Sequence, residues 1–102
     1  MTKLPPITED EFTSQVIQYA MLHGWRVAHF RPARTARGWR TAVQGDGAGF
    51  PDLVLARHGL VLFAELKAEK GKLSPEQEQW QRTVNGMVWR PSQWPEIERM
   101  LQ

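Results

Sequence analysis

The sequence predicts an α/β domain: a mixed four-stranded sheet flanked by helices, in the order α-β-β-β-α-β with a short C-terminal helix. Three observations point there. Two helix-start signatures, Thr8-x-x-Glu11 and Ser74-x-x-Gln77, stand far apart in the chain. Between them lie two apolar runs, Asp52 to Arg57 and Leu60 to Lys67, separated only by His58-Gly59. Two shorter runs, Trp25 to Phe30 and Met87 to Arg90, carry aromatic and β-branched residues that suit a pleated surface.

Taken in order, Thr8 caps a first helix over roughly residues 9–23, in which Phe12, Val16, Tyr19 and Ala20 recur at helical spacing. Gly24 follows as the left-handed residue that ends it. Trp25 to Phe30 is the first strand. Residues 31–49 hold Pro32 and four glycines without a sustained period, which predicts a long loop. Arg31, Arg34, Arg37 and Arg40 recur every third position, but Pro32 and Gly38 oppose a helix there. The runs at 52–57 and 60–67 are nearly continuous in apolar residues, as in strands covered on both faces. Ser74 then caps a second helix with Pro75 at its first position, Asn85-Gly86 ends it, and Met87 to Arg90 is the fourth strand. Pro95 to Leu101 is the terminal helix. Trp25, Trp80 and Trp89 are expected in the core, and His29 as a strand filler.

The 102 residues make a single domain, 1–102, with one modest core. Absence of cysteine excludes a disulfide framework and any cysteine-based zinc site, and fits the cytoplasm. The first residues lack the apolar stretch of a signal peptide, and the run Leu60 to Ala64 is too short to span a bilayer. A soluble intracellular protein is expected. Charge is unevenly spread. Five arginines and no acid lie between Trp25 and Gln44, whereas from Pro51 onward seven basic residues balance seven acidic ones. A basic segment on a near-neutral domain suits the DNA backbone, with Arg31, Arg34, Arg37, Arg40, Lys70 and Lys72 as the candidate contacts.

Chemistry concentrates in the hairpin. If His58 and Gly59 form a two-residue turn, Arg57 pairs with Leu60. Counting outward in equal steps puts Asp52 opposite Glu65, their Cβ atoms about 4.5–5.5 Å apart. Lys67, two residues beyond Glu65, shares that face. Two carboxylates side by side in an apolar sheet repel, and one must stay protonated unless a cation intervenes. Mg²⁺, for which Mn²⁺ commonly substitutes, takes such oxygen ligands together with waters and phosphate oxygens. A metal so held acidifies water and stabilises charge in an in-line displacement, with Lys67 adding positive charge at the phosphate.

These residues also carry a family resemblance. GFPDLVLARHGLVLFAELKAEKGKLSPEQEQW resembles the core signature of the virus-type replication-repair nuclease (VRR-NUC) domain, a branch of the PD-(D/E)XK nucleases widespread in phages. The likeness continues upstream through GWRVAHFRPAR and GWRT and downstream through VWRPSQWPEIERML. It implies a restriction-endonuclease-like α-β-β-β-α-β core and metal-dependent cleavage of DNA. On the resemblance, Asp52 and Glu65 match metal ligands, Leu66 joins the metal's contacts and Lys67 matches the catalytic lysine. Glu11, with Glu9 as the alternative, matches an acid on the first helix, and Gln77 matches a glutamine facing the site. Glu11 and Gln77 are equally accounted for as capping residues. The segment from Gln81 to Val88 is a few residues shorter than is usual in the family.

The expectation is therefore an Mg²⁺- or Mn²⁺-dependent endodeoxyribonuclease of the PD-(D/E)XK type, selective for branched or flapped DNA in replication, repair or recombination. A homodimer would add phosphate contacts. The alternative is a non-catalytic DNA-structure-binding module of the same fold.

Overall fold

The structure, a computed structural model, describes residues 6–30, 33–35, 38–40 and 45–102; for 33–35 and 38–40 it describes the backbone. The elements are α1 (Glu9–Leu22), β1 (Arg26–His29), β2 (Ala33–Thr35), β3 (Gly38–Arg40), β4 (Leu53–Arg57), β5 (Leu60–Leu66), α2 (Pro75–Val84), β6 (Met87–Trp89), a 3-10 turn (Pro91–Gln93) and α3 (Trp94–Leu101). The main sheet runs β1-β4-β5-β6, antiparallel except for the parallel pair β5–β6. The expected mixed four-stranded α/β core is present.

Local chemistry sets the boundaries. Thr8 and Glu11 exchange hydrogen bonds in a full capping box at the start of α1. The helix ends in a Schellman motif: Trp25 N–H donates to Ala20 O at 3.0 Å and Gly24 N–H to Met21 O at 3.1 Å, with Gly24 at φ +83°. His58 (φ +52°) and Gly59 (φ +80°) form the two-residue turn, and Arg57 pairs with Leu60. Despite the short segment after Trp80, α2 closes on left-handed Asn85 and, after the single residue Gly86, β6 starts at Met87.

One face of the sheet meets α1 and α3 in a core of Phe12, Val16, Ala20, Trp25, Leu53, Leu55, Ala64, Leu66, Trp89, Ile97 and Leu101. Trp25 and Trp89 lie in it as expected. Trp80 instead packs on the opposite side, edge-on against Phe50 at 5.0 Å between ring centroids.

Two expectations are corrected. Residues 31–49 are not one irregular loop: β2 and β3 pair antiparallel, Arg34 opposite Trp39 and Ala33 opposite Arg40. Strands this short show too little alternation to register as a period. Nor are the apolar runs covered throughout. Leu60 and Val61 remain 54% and 50% exposed at the hairpin tip, while Ala64, Glu65 and Leu66 are buried. The helices cover only the half of the hairpin that contains Glu65.

Candidate active site

The two-residue turn fixes the register, and the register brings the acids together. The β4–β5 ladder reaches Leu53 opposite Ala64, and the next step sets Asp52 against Glu65. Side chain and backbone interlock there: Asp52 N–H donates to Glu65 Oε1 at 3.2 Å, and Leu66 N–H donates to Asp52 Oδ2 at 2.9 Å. Leu66 therefore meets the site through its backbone, its side chain being buried in the core. Asp52 is held from the other side too, its carbonyl accepting from Phe30 N–H at 2.9 Å.

The chain before Asp52 is wedged in place. Phe50 makes edge-on contacts with Phe30, Phe63 and Trp80, at 5.2, 6.2 and 5.0 Å between centroids. Gly49, at φ +78°, lies so close to α2 that a Cβ would stand 2.5 Å from the Glu76 carbonyl carbon and 2.6 Å from Gln77 N. Glycine is required both for the backbone conformation and for the approach.

Gln77 does two things at once. Its Oε1 accepts from Ser74 N–H at 2.8 Å, completing the capping box, and its Nε2 donates to Glu65 Oε2 at 2.8 Å. The cap fixes which end of the amide faces the acid. Both Glu65 oxygens thus receive donors.

Electrostatics match this crowding. Glu65 is 1% exposed, and burial first, then the charge of Asp52, pushes its pKa up to about 8. Burial also raises Asp52, against the Leu66 N–H, a hydrogen bond from Glu65 and the charges of His29 and Lys67. Lys67 lowers both acids through space. Among the described residues no ion pair within 4.0 Å joins Lys67 to either of them.

Other predicted residues lie apart. Glu11 is exposed and its carboxylate closes the capping box, which lowers its pKa. It lines a shallow depression with Ser14, Gln18, Tyr19 and Trp94, and Glu9 is likewise exposed. Among the described residues no three His, Cys, Asp or Glu side chains gather around one point. Lys70 and Lys72 are exposed on the connection between β5 and α2. Arg31 and Arg37 lie outside the described residues; Arg34 and Arg40 fall on β2 and β3. His29, read from sequence as a strand filler, pairs with Leu53 beside Asp52 and acts on its charge. Pairing β1 with β4 is the step that would have revealed it.

An acid pair on a hairpin, Glu65 buried and Asp52 half-buried, with a lysine on the next same-face position, is a hard-oxygen donor set beside a cation. The VRR-NUC domain profile matches residues 9–88, which contain every one of these groups. The chain belongs to the VRR-NUC family. It is thus a nuclease-type DNA-processing domain with a PD-(D/E)XK-like core. No curated protein and no solved structure gives a significant match to this VRR-NUC chain. Among the described residues no helix is long and apolar enough to cross a membrane.

Proposed function

We propose that this VRR-NUC domain is a divalent-metal-dependent endodeoxyribonuclease in which Asp52 and Glu65 hold the metal and Lys67 assists at the scissile phosphate. One observation carries the reading: Asp52 and Glu65 face each other across the hairpin, Glu65 buried and Asp52 half-buried, interlocked with backbone donors and with raised pKa values. A donor set of two carboxylates fits Mg²⁺ or Mn²⁺, which complete their shells with water and phosphate oxygens. When bound, such an ion supplies the charge that neutralises the pair and activates water for attack on phosphorus.

The protein's own groups do the rest. Gln77 Nε2 and Asp52 N–H orient the two Glu65 oxygens, and Leu66 N–H orients Asp52. Lys67, two residues beyond Glu65 and on the same strand face, stabilises negative charge that grows on the phosphate oxygens. Glu11 stays in its cap and is outside this set. Selectivity for DNA shape, such as a branch or flap, is part of this proposal and is read directly from a substrate panel.

The test is cleavage of supercoiled, linear, flapped and four-way DNA with Mg²⁺, Mn²⁺ or EDTA. Cutting is expected with either metal, best on a branched substrate, and absent in EDTA. Asp52→Ala and Glu65→Ala should each lose at least about 100-fold in turnover while remaining folded. A variant within about tenfold of the parent would refute the assignment of that acid.

A further inference from the structure

The turn after Lys67 is held by one side chain from the neighbouring strand. Beyond β5 the ladder continues one step, Lys67 N–H donating to Trp89 O at 3.0 Å. The chain then bends sharply, with Gly71 N–H donating to Ala68 O at 3.0 Å. Arg90, immediately after β6, sends Nη1 into this bend. That nitrogen donates to Gly71 O at 2.7 Å, Ala68 O at 2.8 Å and Glu69 O at 3.2 Å. The attachment is reciprocal: the Glu69 carboxylate accepts from Ser92 N–H and from Ser92 Oγ, both at 2.8 Å.

Three carbonyl oxygens turned toward one point repel each other unless a cation stands among them, and a guanidinium supplies charge and directed donors together. The bend lies against the lysine itself, since a Cβ on Gly71 would be 3.5 Å from Lys67 Cδ. The Lys67 backbone is thus tied to β6, and its side-chain stem lies along a turn that Arg90 shapes. Unrestrained, its long stem has many rotamers and its ammonium no fixed place.

We propose that Arg90 is a positioning residue for the nuclease reaction: by fixing the 68–71 turn it sets where the Lys67 ammonium stands relative to Asp52 and Glu65. This rests on the nuclease reading above. A staple that served stability alone would leave kcat unchanged once the protein is folded.

The decisive measurement is a double-mutant cycle on the full chain with Mn²⁺, using the best substrate of the panel. Arg90→Gln is expected to lower kcat by about 10–100-fold, as a displacement of about 1 Å in a reacting group does, with KM for DNA changed less than about threefold. In a Lys67→Ala background the same substitution should cost nothing further. Hydrogen exchange in EDTA should show faster exchange at Gly71 in Arg90→Gln while the α1 amides keep their protection. If Arg90→Gln does not fold, Glu69→Gln, which loosens the opposite side of the same turn, should lower kcat several-fold and show the same dependence on Lys67. Equal losses with and without Lys67, or an unchanged kcat, would overturn the proposal. A parent that cuts no substrate would instead overturn the nuclease reading on which it rests.

Discussion

Glu65 receives a hydrogen bond on each oxygen, from Asp52 N–H and from Gln77 Nε2, yet burial and the neighbouring Asp52 charge outweigh its favourable partners. In the metal-free protein this makes stability depend on pH in a definite direction. Between the ordinary value of 4.5 and the folded value of about 8, the folded chain keeps a proton that the unfolded chain has lost. Stability contributed by the site is therefore greatest below 4.5, falls as pH rises through that window, and levels off above about 8. Asp52, also raised, adds to the fall. At about 1.4 kcal/mol per pKa unit the effect is bounded at a few kcal/mol. Urea unfolding in EDTA at a series of pH values checks it. The parent should lose stability from acid to mildly alkaline pH, and Glu65→Gln should give a flatter curve. The slope is the proper readout, because a glutamine at 65 sets its own amide donor against an N–H donor and shifts the absolute stability too. Identical slopes would show that Glu65 ionises normally.

Gly49 shows how one position joins three elements. It lets the chain before β4 lie on the first turn of α2, and so places Phe50 among Phe30, Phe63 and Trp80 and Asp52 opposite Glu65. Gly49→Ala should destabilise by about 2–4 kcal/mol, from the left-handed backbone and the clash with the Glu76 and Gln77 backbone together. Its activity should fall further than its stability predicts, because α2 and Asp52 separate. Urea unfolding beside cleavage assays checks both, and a variant as stable as the parent would show that the loop can shift. The same elements explain what was legible in the sequence. The hairpin register was, because a two-residue turn leaves no freedom in the pairing of Asp52 with Glu65. The contact from Gln77 to Glu65 could be anticipated only through the family likeness, since a capping box already accounts for that glutamine. The role of Arg90 was not legible, because its carbonyl partners lie on a turn about twenty residues away and backbone acceptors leave no mark in the sequence. The β2–β3 pair was missed because three-residue strands carry no measurable alternation.

Over the whole molecule, positive charge is concentrated in one segment: five arginines without an acid between Trp25 and Gln44, against balanced charge from Pro51 onward. That segment is rooted at the acid pair from both sides. Phe30, at its start, donates its N–H to Asp52 O at 2.9 Å, and Gly49 and Phe50, at its return, pack on α2 and lead directly into Asp52. The segment that carries β2 and β3 therefore begins and ends beside the proposed cleavage site, and we propose that its arginines hold the DNA backbone next to the scissile phosphate. Each phosphate neutralised on B-DNA contributes about −0.9 to the slope of log affinity against log salt. The double variant Arg34→Ala, Arg37→Ala is expected to bind DNA more weakly on every sequence, with a slope shallower by about 1–2. Fluorescence anisotropy in Ca²⁺ across a salt series measures this without requiring cleavage. Loss of affinity at an unchanged slope would mean that the arginines shape the hairpin rather than touch phosphate. An unchanged affinity and slope would move the DNA-binding surface to the exposed Lys70, on the turn that Arg90 holds, and Lys72 just after it.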